Sequence, residues 1–345
     1  MAIKKIEVSE FFNLNPEKVF DVRSPSEYNH AHIPGAVSLP IFNDEERKVI
    51  GTTYKQKSRE LAIKTGLDYF GPKMRSMVEE VERSVNDSGQ QKKIYVHCWR
   101  GGMRSAAVAW LLDLYGFEVT VLTGGYKAYR NWVLEQFEKD YAFNIIGGYT
   151  GSQKSILLRQ IAEKGIQIID LEKIAEHKGS AFGGIGMPPQ PTQEMFENEL
   201  ALSLFNTKKE TIWLEDESQR IGILNIPNAL WKTIRTKPVY FIELPFEIRL
   251  ANIDQEYGSL DREKLADAIL RIQKRLGPLE TKTAINFLEE ENMHECFRIL
   301  LSYYDKTYEK ALHNRENLST LLNRIPGNAD NSSILDNLIC GTVHS

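Results

Sequence analysis

Cysteine is scarce in this chain: there are three in 345 residues, Cys98, Cys296 and Cys340. The odd count, with no paired or metal-type spacing, argues against a disulfide framework or a zinc module and fits a reducing compartment in which at least one thiol stays free for chemistry. Long apolar runs are missing too. No stretch of about eighteen consecutive apolar residues occurs, so no membrane-spanning helix is expected. The opening segment MAIKKIEVSEFFNL holds neither an apolar run nor a small-residue cleavage site, so secretion is not expected either. A cytoplasmic location is the resulting expectation. Nor is there a basic excess: 43 Lys and Arg stand against 47 Asp and Glu, a formal net charge of -4. Any RNA site must therefore be a local patch. What remains is ordinary for a soluble protein, with 42% hydrophobic and 26% charged residues and enough length for two domains.

The residue pattern predicts two α/β domains, residues 1–138 and 139–345. In the first, Val19-Phe20-Asp21 and Ile94-Tyr95-Val96 read as short buried strands. Ala106 to Leu114 reads as an apolar helix closed by Gly116, Val119 to Leu122 as another strand, and Tyr126 to about Phe137 as an aromatic-rich helix. Such alternation predicts a largely parallel sheet. A second doubly wound pattern begins near Ala142, with strands at Phe143–Ile146, Gln167–Asp170, Thr211–Leu214 and Val239–Leu244 and a helix over Lys154–Glu163. From Asp261 onward amphipathic helices are predicted, and the polar stretch Asn328–Ser333 is expected to fray.

The segment Tyr95-Val96-His97-Cys98-Trp99-Arg100-Gly101-Gly102-Met103-Arg104-Ser105 puts a cysteine at the carboxyl end of a strand and just before a helix, where α/β sheets place their sites. Gly101 and Gly102 let the backbone curl its N–H groups inward, and the helix N-terminus adds positive potential; both stabilise a thiolate and a tetrahedral anion beside it. Arg100 and Arg104 supply charge-assisted donors. Free cysteines often serve as small buried hydrophobes, but a glycine–arginine loop opening a helix is a reactive setting. Cys98 is thus the catalytic candidate, with Trp99, Arg100, Gly101, Gly102, Met103 and Arg104 as its anion loop. The upstream Asp21-Val22-Arg23-Ser24-Pro25-Ser26-Glu27-Tyr28 and His32-Ile33-Pro34-Gly35-Ala36-Val37, with the closing Leu122-Thr123-Gly124-Gly125-Tyr126, resemble rhodanese domains. The loop is one residue longer than the usual rhodanese loop, and its five residues between Cys98 and Arg104 match cysteine-dependent phosphatases. A phosphatase or a generic sulfurtransferase of the rhodanese fold is therefore the alternative, although no Asp or Glu can be assigned from sequence as a phosphatase's general acid.

In the second domain Gly148-Tyr149-Thr150-Gly151-Ser152-Gln153-Lys154-Ser155 resembles a Walker A loop, making Gly148, Gly151, Ser152, Lys154 and Ser155 diphosphate-binding candidates of a P-loop NTPase-like fold. Gln153 departs from the motif, which has glycine there, and argues against classical ATP hydrolysis; a diphosphate or phosphate ligand, a nucleotide and a degenerate structural loop all stay open. Ile212-Trp213-Leu214-Glu215-Asp216 resembles a Walker B strand, so Ser155, Glu215 and Asp216 are candidates for holding Mg²⁺.

Longer pieces are more specific. Ser38-Leu39-Pro40-Ile41-Phe42-Asn43-Asp44-Glu45-Glu46-Arg47, Ile50-Gly51-Thr52 and Tyr54-Lys55-Gln56 resemble tRNA 2-selenouridine synthases, as do Asp170-Leu171-Glu172, His177-Lys178-Gly179-Ser180, Phe182-Gly183, Gln193, Phe196-Glu197 and Glu215-Asp216-Glu217-Ser218 with Ile221-Gly222. The resemblance runs from about residue 18 to beyond 250; the C-terminal helices carry no matching motif. It implies replacement of sulfur by selenium at the wobble 2-thiouridine of tRNA, with selenophosphate as donor and a geranylated thio-nucleoside, formed from geranyl diphosphate, as intermediate. It implies no tightly bound cofactor beyond Mg²⁺. Cys98 would serve selenation and Lys154, in the loop 148–155, the diphosphate. Candidate RNA patches are Lys55, Lys57 and Arg59; Lys73 and Arg75; Lys232, Arg235 and Lys237; and Arg271, Lys274 and Arg275. Trp99 is placed to stack on an unstacked wobble base.

Overall fold

Short, strongly apolar strands feeding amphipathic helices build two separate parallel sheets. The computed structural model describes residues 3–14, 16–86, 92–207, 211–328 and 331–340, and the chain divides into two units, Met1–Gln136 and Phe137–Ser345.

The first unit has strands β1 (Lys4–Ile6), β2 (Val19–Asp21), β3 (Val37–Ser38), β4 (Lys93–His97) and β5 (Glu118–Leu122). They are all parallel, in the order β1-β5-β4-β2-β3. Phe20, Val22, Ile94, Val96, Val119 and Val121 are buried, together with Val108 and Leu112 of the helix Met103–Tyr115. Each such burial is worth roughly 1.5–3 kcal/mol, which is what holds strands of so few residues in place. The order carries the chain from β2 to β3 on one side and from β4 to β5 on the other. The crevice between the carboxyl ends of β2 and β4 is thus where a ligand fits such a sheet.

The second unit contains β6 (Phe143–Gly148), β7 (Ile168–Ile169), β8 (Ile212–Glu215), the antiparallel pair β9 (Arg220–Ile221) and β10 (Leu224–Asn225), then β11 (Val239–Glu243) and β12 (Leu322–Pro326). Its parallel sheet runs β12-β11-β6-β8-β7. Every residue of central β6 is buried, as expected of a strand covered on both faces. The helices Arg262–Leu276, Pro278–Glu289 and Met293–His313 pack a core of their own around Leu265, Ile269, Ile272, Leu288, Phe297 and Leu300.

The chain beyond Asp261 is mostly helical, as expected, with one added strand and one difference in the tail. β12 joins the sheet as an edge strand whose outward residues Asn323 and Arg324 are exposed, so its apolar signal is too thin to read. Asn331–Ser333, expected to fray, open the helix Asn331–Cys340, which buries Ile334 and Leu338 against the sheet. Residues 329 and 330 lie outside the described residues. Among the described residues no helix is long and apolar enough to cross a membrane.

Candidate functional site

Cys98 follows β4 directly, in the crevice between β4 and β2, and only 3% of it is exposed. The loop is shaped by the next strand's end. Tyr126 and Lys127, at the start of the helix Gly125–Phe137, donate their N–H groups to the carbonyls of Cys98 and Trp99 at 2.8 and 2.9 Å. That ties both carbonyls away from the thiol. Gly125 sits at φ 58°, and a Cβ there would lie 2.2 Å from the Cys98 carbonyl oxygen, so no other residue fits the close approach. Burial pushes the thiol pKa up. Against it act the Ser105 hydroxyl, 3.3 Å from Sγ, the N–H groups of Ser105 and Arg100 and the charge of Arg104. These donors prevail, and the thiol pKa lies below its ordinary value.

The other loop residues divide. Arg104, half-buried, donates to Glu27 at 2.8 Å, which locks it beside the site. Arg100, Gly102 and Met103 are exposed, Gly101 is half-buried, and Trp99 leans on Tyr126 with ring centroids 5.7 Å apart. Burial raises the Glu27 pKa, but its bond to Arg104 outweighs this and holds the carboxyl below the ordinary range. The Glu27 carboxylate is thus committed to Arg104. Beneath the thiol, Arg23 forms a buried fork with Asp21, at 2.9 Å from Nε and 2.6 Å from Nη2, and lies 3.7 Å over the Tyr126 ring. Neither ring nitrogen of buried His97 makes a side-chain hydrogen bond, Nδ1 lies 3.8 Å from Asp21 Oδ1, and burial holds the imidazole pKa below its ordinary value. Cys296 is a buried structural thiol whose pKa burial pushes up to about 12. The side chain of Cys340 lies outside the described residues.

The turn after β6 is the second site. Arg249 donates to the Thr150 carbonyl at 3.1 Å and Asn252 to the Gly151 carbonyl at 2.9 Å. Arg249 is itself clamped by Asp305 at 2.8 and 2.7 Å. Successive carbonyls are thus drawn to one side, which is how a backbone turn frees its N–H groups for an anion. Lys154 Nζ rests on the Gly148 carbonyl at 2.9 Å, and the Ser152 hydroxyl turns into the loop toward the Tyr149 carbonyl at 2.6 Å. Gln153 takes the left-handed conformation at φ 56°, ψ 33° that the motif's glycine normally supplies.

The Walker B-like strand ends at Glu215, and the chain turns at once, the Glu217 N–H donating to the Glu215 carbonyl at 3.0 Å. That turn gathers Glu215 and Glu217 and sends Asp216 elsewhere. Asp216 accepts from Tyr308 at 2.7 Å and from buried Arg315 at 2.8 Å, away from Ser155. Ser155 Oγ instead donates to Glu172 at 2.8 Å, and carboxylate oxygens of Glu172, Glu215 and Glu217 lie within 4.8 Å of one another. Of the metal candidates, Ser155 and Glu215 are brought together and Asp216 is not. Glu172 and Glu217 were missed. Glu217 is brought to Glu215 by the tight turn after the strand, and Glu172 joins them only through the fold.

Among the basic patches, Lys73 pairs with Glu46, Arg75 with Glu79 and Lys237 with Asp140, while Arg235 donates to the Ala311 carbonyl. Lys232 is exposed. Lys55, Lys57 and Arg59 are exposed, as are Arg271, Lys274 and Arg275.

Known proteins share this arrangement. Residues 6–131 match the rhodanese-like domain model and residues 141–324 match the model of the tRNA 2-selenouridine synthase AAA domain. A tRNA 2-selenouridine synthase of Bdellovibrio bacteriovorus is 32% identical across 91% of this chain and 94% of its own length. The chain belongs to the tRNA 2-selenouridine synthase family. A member from Sulfurovum sp. is 33% identical over 92% of this chain and 93% of the relative. One from Nitrosomonas europaea is 36% identical over 69% of the chain, which spans 63% of that relative's length. Membership makes the protein an enzyme of selenium transfer to tRNA.

Proposed function

We propose that the two anion loops divide this family's reaction into two steps on one tRNA nucleotide. At the turn 148–155 the diphosphate of geranyl diphosphate is held while the sulfur of wobble 2-thiouridine attacks its terminal carbon. A C–S bond forms, the C–O bond to diphosphate breaks, and Lys154 neutralises the leaving group. A Mg²⁺ ion supplies further counter-charge when bound there, and the buried, unpartnered oxygens of Glu215 fit such an ion. At the Cys98 loop selenophosphate is held by inward N–H groups and Arg104; its selenium attacks the thio-bearing carbon, a C–Se bond forms, the C–S bond breaks and geranylthiol leaves with a proton, and water then cleaves the P–Se bond to release phosphate. The single observation that carries the reading is that each loop follows the carboxyl end of a parallel strand and opens a helix, one carrying a thiol whose pKa lies below its ordinary value and the other a lysine. The tRNA phosphates are taken up by Lys55, Lys57 and Arg59 and by Arg271, Lys274 and Arg275. The enzyme works in the reducing cytoplasm, where its thiol stays reduced.

The test is mass spectrometry of the nucleoside made by two variants. Lys154→Ala is expected to lose geranylation of 2-thiouridine yet to selenate tRNA that is already geranylated, while Cys98→Ser geranylates normally and makes no selenouridine. Loss of both steps in either folded variant defeats the division. Cys98-dependent hydrolysis of an aryl phosphate would favour the phosphatase reading instead.

A further inference from the structure

Glu215 is an unusual residue to find in a core. It is 1% exposed, it ends a wholly buried strand, and neither of its carboxylate oxygens has a hydrogen-bond partner. An isolated buried carboxylate costs several kcal/mol unless it is paired, protonated or bound to a metal. No arginine answers it: buried Arg315 pairs with Asp216, and Arg249 pairs with Asp305. What faces it instead is more negative charge, from Glu172 and Glu217, whose ligand atoms lie with its own within 4.8 Å. Lys154, next to Ser155, is the adjoining cation, and its Nζ rests on the Gly148 carbonyl at 2.9 Å. Three carboxylates against one ammonium leave a deficit that a divalent ion cancels.

We propose that Glu172, Glu215 and Glu217 form a site for one hard divalent cation, adjoining Ser155, which fills before any diphosphate arrives. Three carboxylates from two segments suit Mg²⁺ or Mn²⁺, which take oxygen ligands, and disfavour soft metals that select sulfur. The site differs from the one the Walker motifs predict. Asp216, the acid of the Walker B-like strand, is spent on Tyr308 and Arg315, while Glu172, outside both motifs, contributes a ligand. Its Oε2 accepts from Ser155, so the ion is coupled to the first turn of the helix Lys154–Glu163 and thereby to the phosphate turn. As counter-charge to a bound diphosphate the site rests on the reading that geranyl diphosphate occupies that turn; as a cation site it stands on the carboxylates alone.

The experiment is a Mn²⁺ titration of the full-length protein, without any diphosphate, followed by electron paramagnetic resonance and paired with thermal melting. One Mn²⁺ per chain is expected, with a melting temperature that rises as Mn²⁺ is added. Glu215→Gln is expected to weaken Mn²⁺ binding about tenfold or more and to remove the rise. In EDTA that variant should melt at or above wild type, because an unpaired buried charge is gone. Folding is thereby checked in the same assay. Asp216→Asn, shown by melting to be folded, should keep Mn²⁺ affinity within about threefold, a span well under the loss of a direct ligand. Failure of wild type to bind Mn²⁺, or unchanged binding in Glu215→Gln, overturns the site. Geranyl diphosphate that does not bind the Mn²⁺-loaded protein overturns the diphosphate reading and leaves the cation site supported. Diphosphate binding by a protein that takes up no Mn²⁺ does the reverse.

Discussion

Cys98 is buried, and burial alone would make it an inert thiol. The donors converging on Sγ reverse that, and the reversal is measurable as a pH profile. Thiolate, not thiol, is alkylated, so a lowered pKa means that iodoacetamide reactivity persists below the ordinary titration range near about 8.5. Ser105→Ala removes the hydroxyl 3.3 Å from the sulfur. Its profile is expected to move back up, slowing alkylation at pH 7 about tenfold, the effect of one pKa unit. An unchanged profile would show that the N–H groups of Ser105 and Arg100 suffice. The sign for stability follows from the same shift. A thiol whose folded pKa lies below its unfolded value adds stability above the unfolded value, and that contribution is lost as pH falls through the folded one. The cysteine was legible because its surroundings occupy one continuous segment. Ser105 lies in the same segment, but that its hydroxyl, and not an arginine head, would meet the sulfur depends on the helix starting at Met103.

At the scale of elements, both sites depend on how a strand meets a helix. Gly151, at φ 83°, has no room for a Cβ, which would lie 2.6 Å from the Arg249 carbonyl oxygen. Gly151→Ala is therefore expected to destabilise the second unit by about 2 kcal/mol, combining left-handed strain with the clash, and to abolish diphosphate binding. Gln153 makes the opposite case. It already holds the left-handed conformation at a cost of roughly 1 kcal/mol, so Gln153→Gly should not destabilise and should keep diphosphate affinity. Calorimetric melting and a diphosphate titration compare the two; a Gln153→Gly protein less stable than wild type would mean that the glutamine side chain holds the turn. The strands and helices flanking these turns were readable, since apolar periodicity and glycines mark them locally. The brace behind the turn was not. Arg249, Asn252 and Asp305 look like ordinary polar residues on amphipathic helices until the fold brings Arg249 and Asn252 to the Thr150 and Gly151 carbonyls and Asp305 to Arg249. Tyr308 and Arg315 likewise reach Asp216 from C-terminal segments that carry no motif, and β12 shows its place only as the partner of β11.

For the whole molecule, the chain holds two units that each have their own sheet and core, one with the thiol loop and one with the phosphate loop. If each step needs only its own loop, the intermediate is a modified tRNA, free to leave one protein molecule and enter another. Two damaged enzymes should then repair each other. A mixture of Cys98→Ser and Lys154→Ala proteins, given 2-thiouridine tRNA, geranyl diphosphate and selenophosphate, is expected to form selenouridine, although neither variant does so alone. The rate should rise with the concentration of both proteins, because the tRNA must dissociate and rebind. Added salt should slow the mixture more than the wild type, since each rebinding again displaces counterions from the phosphates, to an extent set by the number of basic contacts. Time courses of the geranylated and selenated nucleosides, resolved by mass spectrometry, follow the transfer directly. Geranylated tRNA should accumulate first and then decline. If the mixture stays inactive while each variant still performs its own surviving step, the intermediate is handed over within one chain without release, and the two units act as a single channelled site.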